Sequence, residues 1–163
     1  MGNEFDSGNR DEANSLSVDF IKAAVKQYRT SQLQCTADNL GMADAHSIWF
    51  DLPKLKKFIA DIENLASSSD PSVREEDLGI RMYYAAYPDH FPGADIKEEY
   101  LKKHTLIMVP TKKQEQSEGR FVHRDYNPLE NSSERRLALA TGNAMAQNHG
   151  SLAPPDSCVG ELY

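Results

Sequence analysis

Gly79-Ile80-Arg81-Met82-Tyr83-Tyr84-Ala85-Ala86-Tyr87 is the stretch on which the fold turns. Aromatic and aliphatic residues dominate it, so it predicts a strand. Pro88 closes it. Apart from Arg81 the run is apolar on both of its sides. A strand with two apolar faces belongs in the middle of a covered sheet, and that is the expectation here.

The clearest neighbouring signal lies upstream. His46-Ser47-Ile48-Trp49-Phe50 predicts a strand, Asp51 is placed to cap a helix, and Pro53 falls in that helix's first turn. Leu52, Leu55, Phe58, Ile59, Ile62 and Leu65 recur at helical spacing, and the helix ends in the turn cluster of residues 66–71. The connection 51–78 is long enough for a right-handed crossover, which predicts that the two strands run parallel. Downstream, residues 95–103 read as a short helix and Thr105-Leu106-Ile107-Met108-Val109 as a third strand closed by Pro110.

The remaining segments are less patterned. Residues 1–14 are polar and aperiodic, which predicts a disordered leader. Val18, Ile21, Ala24, Val25 and Tyr28 mark a first helix, followed by a loop over residues 30–45. Residues 111–131 read as a long polar loop. Asn131 and Glu134 suggest a capping box for a late short helix through Leu137, Ala140 and Ala144, with Gly150 at its end. Residues 151–163 read as an irregular tail. The expected fold is thus a small single α/β domain over residues 15–150. It has about three strands in a mostly parallel sheet, two main helices, the 111–131 loop and the late helix.

Composition narrows the function. The 163 residues carry a formal net charge of −7, which argues against nucleic acid or an anionic membrane as partner. The N-terminus lacks the basic start and apolar run of a secretory signal, and no window reaches the length of a membrane span. Two distant cysteines, Cys35 and Cys158, fit a cytoplasmic protein with free thiols. Phosphate-binding glycine loops and the nucleophile elbow are missing from the sequence, and no cofactor is expected.

Four residues stand out as ligand-binding candidates. Arg81 interrupts an apolar strand, so it must face solvent, pair with a carboxylate or await an anionic ligand, to which its fork is suited. Tyr83 and Tyr87 share its face by alternation, and Asp51 stands at the carboxyl end of the first strand. A weaker pattern is His123-x-Asp125 with His149, three residues of metal-binding type that would leave a coordination position open. The leading expectation is a binding or protein-interaction module whose partner is a protein or a small anionic ligand. The alternative is a metal-assisted hydrolase built on His123, Asp125 and His149, with Asp51 as a further candidate.

Overall fold

The computed structural model describes residues 15–92, 95–130 and 144–156. They fall into two compact units that divide between Met42 and Ala43. The first unit is helical: α1 (Val18–Tyr28), a π-type turn (Arg29–Leu33) and α2 (Gln34–Leu40). Ser17 caps α1 by accepting from the Phe20 amide at 3.2 Å. The loop expected over residues 30–45 is therefore helical as far as Leu40. Its serine and threonines bond back to carbonyls four residues earlier, Thr30 to Lys26 at 2.9 Å and Thr36 to Gln32 at 3.1 Å, instead of breaking the helix. Gly41, at φ +61°, ends it in the left-handed conformation that glycine adopts without strain.

The second unit holds β1 (Ser47–Trp49), α3 (Leu52–Ser69), β2 (Leu78–Ala86), β3 (His104–Ser117), β4 (Arg120–Asp125) and β5 (Ser151–Ala153). Asp51 caps α3 as expected, accepting from the Lys54 amide at 3.1 Å. At the other end of the helix Asp70 accepts from the Ser72 hydroxyl at 2.6 Å and from Lys112 of β3 at 2.9 Å.

Every strand pairing is antiparallel, which corrects the expected mostly parallel sheet. β1 pairs with β5, and β2, β3 and β4 form a separate sheet in that order. A long connection permits a crossover without requiring one. Here the 51–78 segment carries the chain from one sheet to the other. Among the described residues the expected central strand, β2, is an edge, and the centre is β3. The third strand does not stop at Pro110 but runs on to Ser117, and β4 returns beside it, so the expected 111–131 loop is mostly a hairpin. It reads as a loop because polar residues occupy both faces of its distal end. Gly119, at φ +71°, turns it.

The expected helix at 95–103 is one 3-10 turn, Glu98–Tyr100. The late helix and its Asn131 capping box lie largely outside the described residues. Residues 144–150, within them, are non-helical, and Gln147 bridges to Met108 of β3. Part of the expected irregular tail is β5, and Gly150 leads into it. The leader, Cys158 and the end of the tail also lie outside the described residues.

Two apolar clusters hold this unit. Phe58 and Ile62 of α3 bury Met108 of β3, with Leu55, Leu78, Phe50 and Met145 around them. Ala45, Tyr100 and Leu152 form the other, with Ile48, Tyr87 and Ile96. No helix among the described residues is long and apolar enough to cross a membrane.

Gly150 sits where there is no room for a side chain. A Cβ there would lie 2.4 Å from Ile48 Cγ2 and 3.0 Å from Phe50 Cζ. Ile48 is β-branched and its methyl cannot swing aside. Gly150→Ala should therefore cost about 1–3 kcal/mol, read as a lowered urea midpoint. An unchanged midpoint would show that the β1–β5 region yields freely.

Candidate functional site

Side chains alternate across a strand, so the registers sort the three-stranded sheet into two faces. Met108, buried against α3, marks the helix-covered face, which Ile80, Met82 and Tyr84 share. Arg81, Tyr83, Val109, Thr111, His123 and Asp125 belong to the opposite face.

On that face Arg81 pairs with Asp125, and its second nitrogen donates to the His123 carbonyl at 2.7 Å. The Tyr83 hydroxyl donates to the other Asp125 oxygen. β2 and β4 flank β3, so this network spans two strand spacings, about 10 Å. Val109 and Thr111 of β3, both buried, lie between its ends in the register. Of the readings open for Arg81, the structure has it paired with a carboxylate. Its guanidinium is held further towards the charged form by the Tyr83 hydroxyl and by Asp125.

The metal candidates are not gathered. His123 and Asp125 share a strand face, but Asp125 is committed to Arg81 and Tyr83, and His149 lies beside the hollow described next. Among the described residues no group of three or more His, Cys, Asp or Glu is placed to hold a metal ion. Asp51 spends its carboxylate on the α3 cap.

Tyr87 stands apart from Arg81 and Tyr83. It lines a hollow of about 700 Å³ with Tyr100, Phe91, Ile107 and His149 among its walls. The Tyr87 and Tyr100 rings are 5.7 Å apart, and Lys97 sits 4.7 Å over Tyr100. Tyr100 donates to Asp156 at 2.5 Å, which, with a smaller contribution from Lys97, holds that carboxyl below its usual range. Burial, then this bond, push the Tyr100 phenol up.

One constellation escaped the sequence reading. Asp44, buried, accepts from the Ala45 and His104 amides, each at 2.7 Å, and its other oxygen meets His104 Nδ1. A carboxylate can only accept, so the half-exposed imidazole turns an Nδ1 proton to Asp44. The carboxylate also pins the start of β3 to the segment before β1. Sixty residues separate the two, so no local spacing could announce them; an aspartate between two alanines was the only hint.

The last feature is the rim of the sheet. Met108 exchanges two backbone bonds with Gln147, at 2.9 and 3.0 Å, on the side of β3 away from β2. A residue of an antiparallel strand turns its N–H and C=O to one side, so Met82, opposite Met108, is in a non-hydrogen-bonded pair. By alternation Ile80, Met82 and Tyr84 all turn their peptide groups outward. These three residues are 37%, 56% and 93% exposed. Among the described residues no strand pairs with that edge. Beside it, Ile59, Ile62 and Glu63 of α3 with Glu75, Leu78, Gly79 and Ile80 line a hollow of about 270 Å³.

The chain matches no protein-family model, no curated protein and no solved structure.

A double-mutant cycle measures the Arg81–Asp125 strap. Arg81→Ala strands a half-buried carboxylate and should cost about 1–3 kcal/mol. Asp125→Ala should then cost at least about 1 kcal/mol less in that background than in the native chain. Additive losses would mean that the pair contributes nothing as a pair.

Acid should weaken the fold through carboxyls held below their usual range, of which the described residues show three. These are Asp70, by the Ser72 hydroxyl and Lys112, Asp77, by the Arg74 amide, and Asp156 as above. A depressed carboxyl stabilises the fold above its unfolded value, about 3.9, and the gain is lost as pH falls towards the folded value. Urea midpoints should hold steady down to about pH 5 and fall below about pH 4. Asp70→Asn should lower the midpoint at neutral pH and flatten the acid slope. A slope as steep as the native one would remove Asp70 from this account.

Proposed function

We propose that this chain is a protein-interaction module that takes up an extended peptide segment as an added strand along β2. The observation that carries the reading is the row of outward peptide groups at Ile80, Met82 and Tyr84, unpaired by any described strand. Strand addition of this kind draws affinity from main-chain bonds and selectivity from alternate side chains. Proteins usually blunt such an edge with proline, lysine, a bulge or a short strand. β2 is nine residues long, holds neither proline nor lysine, and pairs with β3 without a register break. Its outward side chains offer an isoleucine, a methionine and a tyrosine to the incoming strand.

The reading has a residue-by-residue signature. A peptide of alternating valine and threonine, added at millimolar concentration, should slow amide exchange at Ile80, Met82 and Tyr84. Arg81 and Tyr83, which already face β3, should change little. Met82→Lys, an exposed change that puts a charge on the edge, should keep the fold and abolish the protection. Outward amides already protected in the free chain, or unprotected at saturating peptide, would overturn the reading.

A further inference from the structure

The hollow beside β2 indicates which peptide the edge would take. We infer that the added strand carries a lysine or arginine whose side chain lies in the hollow between α3 and β2, its charged head between Glu63 and Glu75. This rests on strand addition at β2 and adds the chemistry of the partner.

An added strand alternates its side chains, so every second one falls on the helix-covered face beside Ile80. The hollow waiting there has an apolar floor of Ile59, Ile62, Leu78 and Ile80, and two carboxylates, Glu63 and Glu75. Neither carboxylate has an ion-pair or hydrogen-bond partner among the described residues. Glu76 and Asp77, their neighbours in sequence, are by contrast both paired with Arg74. An aliphatic peptide side chain would cover the floor and leave both carboxylates unused. A lysine or arginine does both tasks: its methylene stem lies on the isoleucines while its head stays at the wetter rim, against opposite charge. The exposed ring of Tyr84, further along the same face, offers a second cation a π surface.

The same charges argue against a second copy of this chain as the occupant. A symmetric dimer through β2 would bring identical patches together. It would also bring together two chains of net charge −7, each with Glu63 and Glu75 beside the shared edge. Like charges so placed disfavour association, whereas a basic segment gains from them in both encounter rate and register.

The test uses two neutral-ended peptides of alternating valine and threonine, identical except for one central residue facing α3. One carries lysine there, the other norleucine, which has a similar stem and no charge. Fluorescence anisotropy with the full chain at low salt should give the lysine peptide about tenfold tighter binding. Glu63→Gln with Glu75→Gln should bring both peptides to the norleucine affinity, while Glu98→Gln with Glu99→Gln, outside the hollow, should leave the preference intact. Equal binding of both peptides to the native chain would overturn the inference and leave strand addition standing. A preference that survives Glu63→Gln with Glu75→Gln would overturn it too, by placing the attraction elsewhere on the acidic surface. Failure of both peptides to bind, with the β2 amides unprotected, would remove strand addition and this inference together.

Discussion

A peptide group in a sheet can face only one neighbour, and in this protein the central strand β3 has both of its sides engaged. Its even-numbered residues turn towards β4 and Gln147, as the paired bonds of Met108 and the bond from the Tyr126 amide to the Pro110 carbonyl at 2.8 Å show. Its odd-numbered residues are left for β2. Pro110 can stand in the centre of the sheet for this reason: its missing N–H would have pointed away from β2, where only its carbonyl is used. The same parity passes across to β2, where Ile80 faces Pro110 and Met82 faces Met108 in non-hydrogen-bonded pairs. The open edge of β2 thus follows from how β3 spends its own backbone groups.

The two faces of the sheet are closed by different means. α3 covers one through Phe58 and Ile62, a burial of apolar surface that needs no directional bonds. On the other, Arg81, Tyr83 and Asp125 link the two outer strands across β3, and Val109 and Thr111 lie buried beneath. Such a strap resists shear between strands, because a slip of one residue would move Arg81 and Asp125 to opposite faces. It leaves the register of β2 firm while the outer edge stays open.

Sequence signals specify structure here where the physics is local. The strand before Asp51, its cap on α3, the apolar face of α3 and the existence of β2 and β3 all come from patterns a few residues long. Strand direction and order do not. The apolar run 79–87 fits a buried centre and an exposed, sticky edge equally well, because composition records what a face could bury and not what covers it. Pro110 read as a terminus because the exception depends on which side its absent N–H faces, a property of the partner strand. Arg81 announced that it needed a partner, but Asp125, forty-four residues away, became that partner only through the antiparallel return of β4. Asp44 and His104 meet for a similar reason, and no spacing in the chain encodes it.

The negative charge also takes on a different meaning once the edge is known. A nine-residue edge that no described strand covers, with exposed isoleucine, methionine and tyrosine, invites pairing with any extended chain, copies of this one included. Proline or a bulge would have closed it to every partner alike. Charge would act selectively: Glu63 and Glu75 stand beside the edge, and on the proposed function they would favour a basic segment over an acidic one. On the proposed function, the backbone of β2 stays available while charge decides which chain uses it.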